Sequence, residues 1–418
     1  MLRDLPFHVV GLSHHTAGIQ LREQLAFSPA EVSAWLQGQA AAGSTALLLS
    51  TCNRCEIYWT GGPDLESWFL DFALTRGVSI GEALLRLDGE QAVRHLFDVT
   101  AGLDSQILGE AEVLGQVRRA YDAARDAGTT NRLIDTVLSA ALVAGRRVRR
   151  ETPIGRHPAS VGSAAVDVAA STVVLGESRA LVLGAGEVAG AVLKALQGRT
   201  AGTALVSRRP ERAASLALAF GAVTGEWEVV DALLTTADVV FVGTSSARPV
   251  LDAARLAEAL GTDGRKLAVF DLSVPRNVDP AARHVPGVRL FDLDDLQRLR
   301  CPVDGFTSPT IAQAQRILEE ELERLESSLR ARAAAPRLAE LHRIAARLAK
   351  EEAERALAQM GEPGEQERQV VSEMAERLVR RVLYPISRAV REGGGVADAP
   401  SSGNGEARRP ASPGVRRS

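Results

Sequence analysis

The chain has 418 residues, 45% hydrophobic and 24% charged, with a formal net charge of −3. That length allows about two to four domains, the composition is that of globular material, and the charge balance excludes a wholesale cationic coat for nucleic acid while leaving local basic patches open. Three cysteines are too few for a disulfide framework and point to a reducing, cytoplasmic setting; no apolar run reaches the roughly 18–20 residues of a membrane span, and the opening MLRDLPFHVVGLSHH lacks a secretory pattern.

In chain order, His8 to Gly11 reads as a short strand. Ser28-Pro29-Ala30-Glu31 is a helix start, with a Ser cap, Pro in the first turn and Glu31 completing a capping box. Gly43 stops that helix. Ala46 to Ser50 is an apolar run of buried-strand length, and it delivers the chain to the polar stretch Thr51-Cys52-Asn53-Arg54-Cys55-Glu56 before Ile57-Tyr58-Trp59 resumes a strand. From Gly89 to Arg150 the pattern is helical. His95, Leu96, Val99 and Leu103 share a face, a second helix is expected from Gln106 to Ala127, and a third from Leu133 to Arg150, ending in Arg146, Arg147, Arg149 and Arg150. Pro153, Gly155 and Pro158 mark a boundary, followed by a helix over Ala159 to Leu175. Strands at Ala180–Leu183, Ala204–Val206, Val239–Val242 and Leu267–Phe270, with helical segments between them, make a βαβ series with a parallel sheet.

From Ser308-Pro309 onward the chain is helical. Ile311, Leu318, Leu322, Leu325 and Leu329 form a seam of coiled-coil spacing, and Pro336 is expected to kink or interrupt the helix. Leu338, Leu341, Leu348 and Leu357 continue an apolar face, and a last helix carries Val371, Met374, Leu378, Val382 and Ile386. Two apolar faces without obvious cover favour self-association. Beyond Glu392 the sequence has no periodicity and reads as a disordered tail.

Two local patterns carry chemistry. Gly184-x-Gly186-x-x-Ala189 follows a strand and opens a helix, the setting of a dinucleotide-binding fingerprint over Gly184, Ala185, Gly186, Glu187, Val188 and Ala189. The turn needs Gly184, and Gly186 lets the backbone approach a pyrophosphate at the helix N-terminus. The next strand ends in Ser207-Arg208-Arg209, with no carboxylate for a ribose hydroxyl and two guanidiniums suited to the 2′-phosphate of NADP. The bland alternative is a surface arginine pair.

Cys52 is the second. It follows a buried strand directly, so a rigid element fixes it while its flanks are polar, and Arg54 two residues on would favour the nucleophilic thiolate. A small buried apolar residue is the competing reading. Cys52-x-x-Cys55 also has redox or half-zinc spacing, but no second C-x-x-C exists and Cys301 is distant, so no metal is expected.

From His8 to Arg391 the sequence resembles the glutamyl-tRNA reductase family. The motifs are Gly11-Leu-Ser-His-His-Thr16, Ser50-Thr-Cys-Asn-Arg54, Gly102-Leu-Asp-Ser105, Leu108-Gly-Glu110, Leu114-Gly-Gln-Val117, Gly184-Ala-Gly-Glu187 and Asp271-Leu-Ser-Val-Pro-Arg276, in the family's order. The resemblance implies an α/β multidomain fold. Residues 1–152 would be an N-terminal α+β catalytic domain and 153–300 an NADP-binding Rossmann domain. Residues 301–392 would be an all-α dimerisation domain reached by a long spinal helix, and 393–418 a tail. It implies that Cys52 attacks the ester of glutamyl-tRNA, that the resulting thioester is reduced by NADPH to glutamate-1-semialdehyde, and that the step opens tetrapyrrole synthesis. Splitting acyl transfer from reduction makes two easier steps of one hard one.

By motif, Thr51, Asn53, Arg54, Ser105, Glu110, Ala111, Glu112 and Gln116 would contact the glutamyl group, Arg54 through its carboxylate. His95 would polarise the carbonyl or hold the thiolate. The homodimer, tRNA on the Arg146–Arg150 face or other arginines, and a handover of labile aldehyde to glutamate-1-semialdehyde aminomutase are the implied partners. The chain departs from the family pattern at Glu112 (an amide is expected), at Gly18 (Pro), at Tyr384 (His) and at Cys55, where a second thiol invites a reversible link to Cys52. A shikimate-dehydrogenase-like oxidoreductase, which needs a Lys/Asp pair and no nucleophilic cysteine, and a non-catalytic tRNA-binding or redox-sensing protein remain the alternatives.

Overall fold

The computed structural model describes residues 1–110, 112–155, 160–261, 264–299 and 308–392. The chain divides into two compact units, one ending at Leu322 and one beginning at Glu323. In the first, β1 (His8–Ser13), α1 (Ile19–Gln24), α2 (Pro29–Ala41), β2 (Ala46–Ser50), β3 (Arg54–Trp59), α3 (Leu65–Thr75) and β4 (Leu85–Asp88) lead into α4 (Gly89–Ala101), α5 (Glu112–Asp126) and α6 (Arg132–Glu151). The sheet has order β2-β3-β1-β4, its pairs antiparallel. The Ser28–Glu31 capping box forms as its spacing predicts. Gly11 lies opposite Glu56, and a side chain there would meet the Cys55 carbonyl at 2.2 Å, so the close approach of β1 to β3 requires glycine.

The expected helix from Gln106 begins only at Glu112. Gly102 and Gly109 both adopt left-handed backbone, at φ 78° and 77°, which ends α4 and turns the chain through a loop. That loop folds back, the Gly109 N–H donating to the Gly102 carbonyl at 2.9 Å, and brings Asp104 and Glu110 to the sheet.

After α7 (Val161–Ala170), capped by Ser160 and shorter than the expected Ala159–Leu175, come β5 (Arg179–Leu183), α8 (Glu187–Leu196), β6 (Gly202–Val206), α9 (Pro210–Phe220), β7 (Val223–Gly225), α10 (Val230–Leu234), β8 (Val239–Val242), α11 (Ala253–Leu260), β9 (Leu267–Asp271), β10 (Val288–Phe291) and α12 (Leu293–Leu299). Ala159 and Pro158 lie outside the described residues. The parallel sheet runs β10-β9-β8-β5-β6-β7, the doubly wound order with its crossover between β5 and β8. The short strands β4, β7 and β10 were not anticipated; β7 is an edge of three residues.

The chain ends in α13 (Ser308–Gln359) and α14 (Glu365–Glu392). Along α13, Leu318, Leu322, Leu325 and Leu329 are buried. The helix is continuous through Pro336, so it is not interrupted there. That residue sits on the exposed side of the helix. In the second unit Leu348, Met374, Leu378 and Val382 remain exposed, and Leu348, Ala349, Val371, Met374 and Leu378 line an apolar groove of about 430 Å³. The expected tail, 393–418, and Cys301 lie outside the described residues. Among the described residues no helix is long and apolar enough to cross a membrane.

Candidate active site

Alternation along β3 sends Arg54, Glu56 and Tyr58 to the face covered by α4. Arg54 is buried, and its guanidinium donates to Glu56 Oε1 at 2.8 Å, to Asp104 Oδ2 at 3.1 Å and to the Asp104 carbonyl. Tyr58 donates its hydroxyl to Glu56 Oε2 at 2.6 Å. His95 Nε2 lies 3.0 Å from Glu56 Oε1 and its Nδ1 lies 3.5 Å from Asp104 Oδ2, while His15 reaches Asp104 at 2.6 Å. Burial alone would raise the Glu56 carboxyl, but the charge of Arg54 and the contact with His95 outweigh it and hold it at about 2. Burial would lower His95, and Glu56 reverses this and raises it.

Both residues are thus engaged with carboxylates: Arg54 donates to Glu56 and Asp104, and His95 lies against Glu56.

Cys52 occupies the turn between β2 and β3. Thr51 closes that turn: its Oγ1 accepts from the N–H of Asn53 at 3.1 Å and of Arg54 at 3.2 Å, and its own N–H donates to the Arg54 carbonyl at 2.8 Å. Cys52 is half-buried and packs against the apolar cluster that also contains Ile107, Ala185, Leu272 and Leu293. Burial first, then the charges of Glu110 and Glu112, push the thiol up, and Arg22 opposes them. The cation near Cys52 is thus Arg22, which donates to the Cys52 carbonyl; thirty positions separate the two in sequence, so no local spacing announced it. Cys55 points to the other face of β3, fully buried, and burial pushes its thiol up to about 12.

Beside Cys52, Asn53 Nδ2 donates to Glu110 Oε2 at 3.1 Å. Asn53 Oδ1 and Glu110 Oε1 are buried without a hydrogen-bond partner among the described residues. Burial, then Glu112, raises Glu110 to about 7. Glu112 is raised by burial and by Glu187. Gln116, one turn beyond Glu112, is half-buried, as is Ser105 in the loop. Ala111 lies outside the described residues.

In the parallel sheet, the turn after β5 places Gly184 at φ 116°, where a side chain would meet the Gly243 carbonyl at 2.2 Å. Gly184 N–H donates to the Val206 carbonyl at 2.8 Å, so the turn lies beside Ser207, Arg208 and Arg209. Gly186 opens α8 with no atom within 4 Å of where a side chain would begin. Ala185 and Ala189 are buried and Val188 half-buried beneath the turn. Arg208 and Arg209 are exposed. This open, donor-lined turn with two outward guanidiniums fits a dinucleotide bearing an extra phosphate. The side chain of Glu187 is paired with Arg119, at 3.2 Å on both carboxylate oxygens.

The sequence motifs held, without showing it, two local arrangements: the crossover loop, where Thr244 N–H donates to Ser273 Oγ at 3.2 Å and the Asp271 carboxylate accepts from the N–H groups of Ser273, Asn277 and Val278, and His14, His15 and Asp104, whose ligand-type atoms lie within 4.8 Å of one another, the one such group among the described residues. Arg54 on the same carboxylate opposes a cation there. Of the arginines ending α6, Arg147 pairs with Glu151, Glu320 and Glu321, Arg149 donates to the Glu110 carbonyl and Arg150 pairs with Glu151 at 2.7 Å; Arg146 and Arg150 are exposed.

Residues 10–152 match the family described as glutamyl-tRNAGlu reductase, N-terminal domain; 167–299 match shikimate / quinate 5-dehydrogenase; and 313–402 match glutamyl-tRNAGlu reductase, dimerisation domain. A protein named glutamyl-tRNA reductase from Chloroflexus aggregans is 35% identical over 410 residues, covering 92% of this chain and 90% of its own. One of the same name from Deinococcus radiodurans is 42% identical over 299 residues, covering 70% and 84%. The solved glutamyl-tRNA reductase from Methanopyrus kandleri is 28% identical and covers 93% of this chain and 94% of its own, with a TM-score of 0.43.

Proposed function

The chain belongs to the glutamyl-tRNA reductase family, and from that premise we propose that it reduces glutamyl-tRNA to glutamate-1-semialdehyde through a thioester on Cys52. In the first step Cys52 Sγ bonds to the ester carbonyl carbon, the carbon–oxygen bond to the terminal ribose breaks, and the thiol proton ends on the departing hydroxyl of the tRNA. NADPH, held at the Gly184–Gly186 turn with its 2′-phosphate toward Arg208 and Arg209, would supply a hydride to the thioester carbonyl carbon. Collapse of the resulting hemithioacetal breaks the carbon–sulfur bond and frees the aldehyde, and Cys52 leaves as thiolate and takes up a proton from solvent.

The observation that carries this reading is the position of Cys52, packed against the apolar cluster that the N-terminal layer shares with the nucleotide domain and next to Asn53, which bonds Glu110. The two unpartnered oxygens of that pair suit the ammonium of a glutamyl group. An ammonium there would also offset the carboxylate charges of Glu110 and Glu112 that hold the thiol protonated. Thr51 fixes the turn, Ser105, Glu112 and Gln116 complete the wall, and His95 acts through Glu56 to hold Arg54. Residues 1–152 would carry the thiol, 153–300 the nucleotide and 301–392 the homodimer, through the exposed apolar face of Leu348, Met374, Leu378 and Val382. The tRNA and an aldehyde-consuming aminomutase are the proposed partners.

The test is incubation with glutamyl-tRNA without NADPH, followed by intact mass. Wild type should carry one glutamyl group, and Cys52→Ser none. Wild type that reduces substrate while iodoacetamide-blocked at Cys52 would overturn the mechanism and favour the shikimate-dehydrogenase-like reading. Arg208→Ala with Arg209→Ala should weaken NADPH binding about tenfold, as the loss of phosphate contacts predicts, and leave NADH binding unchanged; titration of cofactor fluorescence checks this.

A further inference from the structure

Two neighbouring residues of α1 with opposite charge reach the nucleotide domain beside the thiol. Arg22 is 2% exposed. Its Nε donates to the Ala17 carbonyl at 3.1 Å, one terminal nitrogen donates to the Cys52 carbonyl, and the other donates to Asp294 Oδ1. Asp294 Oδ2 accepts from the Ile19 N–H at 2.8 Å. Glu23 takes Arg276 in a fork, with Nε at 2.9 Å and a terminal nitrogen at 2.6 Å, and also accepts the Arg276 N–H at 3.0 Å. Arg276 projects from the loop that the Asp271 carboxylate pins at Ser273, Asn277 and Val278. The signs run plus-minus on α1 and minus-plus on the facing domain. Around the pairs, Ile19 and Ile107 of the N-terminal layer share one apolar cluster with Leu272, Leu293 and Leu296. Gln106 adds bonds to the Leu293 carbonyl and to Gln297, each at 3.1 Å.

We infer that Arg22–Asp294 and Glu23–Arg276 form a docking latch that sets the register of the thiol against the nucleotide domain, with Arg22 as the positioning residue that ties the backbone of Cys52 to that domain. The inference rests on the thioester reading above. Acyl transfer to Cys52 needs only the N-terminal layer. Reduction needs the acylated sulfur and the nucleotide turn held in one geometry, where a displacement of about 1 Å costs on the order of a hundredfold. The latch therefore acts on the second half-reaction and spares the first. Arg22 is also the cation nearest the thiol, so its charge and its bridging are separable: lysine keeps the one and loses the other.

Asp294→Asn and Arg276→Glu in the full chain should leave glutamylation of Cys52 without NADPH within about twofold of wild type, slow single-turnover reduction about tenfold or more, and leave NADPH affinity unchanged. With NADPH present, intact mass should therefore show glutamyl-Cys52 accumulating in the variants and not in wild type. Pairing Glu23→Arg with Arg276→Glu should restore reduction. Equal loss in both half-reactions, no loss in either, or no rescue by the charge swap would overturn the latch. If Asp294→Asn fails to fold, the swapped pair decides alone. Wild type that never glutamylates Cys52 would instead overturn the thioester reading, so the two failures are distinct.

Discussion

Glu56 and Glu110 are both buried glutamates beside the thiol-bearing turn, and they behave in opposite ways. Glu56 is surrounded: Arg54 at 2.8 Å, Tyr58 at 2.6 Å and His95 at 3.0 Å hold its charge, and its carboxyl stays at about 2. Glu110 has one donor, Asn53, and one oxygen without a partner, and burial lifts it to about 7. Burial taken alone raises both. The partners decide the sign, and the partners divide the region into a finished structural network and an acceptor pocket left open for a ligand.

The sharpest way to break this contrast is Glu56→Ala. It strands the Arg54 charge in the interior, and removing one member of a buried pair costs about 3–5 kcal/mol. The urea midpoint should fall accordingly, and a cost near zero would mean that the cage is not structural. The wild-type contribution has a defined pH window. A carboxyl held below its ordinary value near 4.5 stabilises the fold above that pH and loses the benefit as pH falls toward about 2. Acid unfolding of Glu56→Gln should therefore lack that component. Tyr58→Phe removes one bond to a charged group and should cost less, about 1.5–3 kcal/mol, by the same measurement and with Cys52 glutamylation retained.

Most of the fold was legible because it is written in local signals. The Ser28–Glu31 cap, the apolar run at Ala46–Ser50 and the glycine turn after Leu183 each fix a backbone geometry within a few residues. The site was legible only as far as Cys52 and its turn. Arg54 reads from sequence as a free cation because its partners, Asp104 fifty positions away and Glu56 across the pleat, appear only when β3 is covered by α4 and the following loop. Arg22 was invisible for the same reason, as were the edge strand β7, too short to show a period, and the loop at 103–110, where Gly109 undoes an otherwise helical pattern. Pro336 shows the opposite limit, a strong local rule that does not stop a long helix on its exposed side.

Glu110→Gln makes the finest cut between the two glutamates, because it keeps the shape and removes the charge. A carboxyl raised from 4.5 to about 7 binds its proton more tightly in the folded state, so its contribution is fully present below about pH 4.5 and is lost as pH rises through 7. Glutamine stays neutral throughout. The variant should match wild type at pH 4.5 and exceed it modestly at pH 8, by about 1 kcal/mol, the scale of leaving one buried polar group ill-satisfied. The same change should lower the thiol, since the Glu110 charge helps hold Cys52 protonated, and iodoacetamide should then alkylate Cys52 faster at pH 8. A glutamine variant less stable than wild type at pH 8, with Cys52 no more reactive, would show that Glu110 is satisfied in the free protein, and the asymmetry between the finished cage and the open acceptor would be lost.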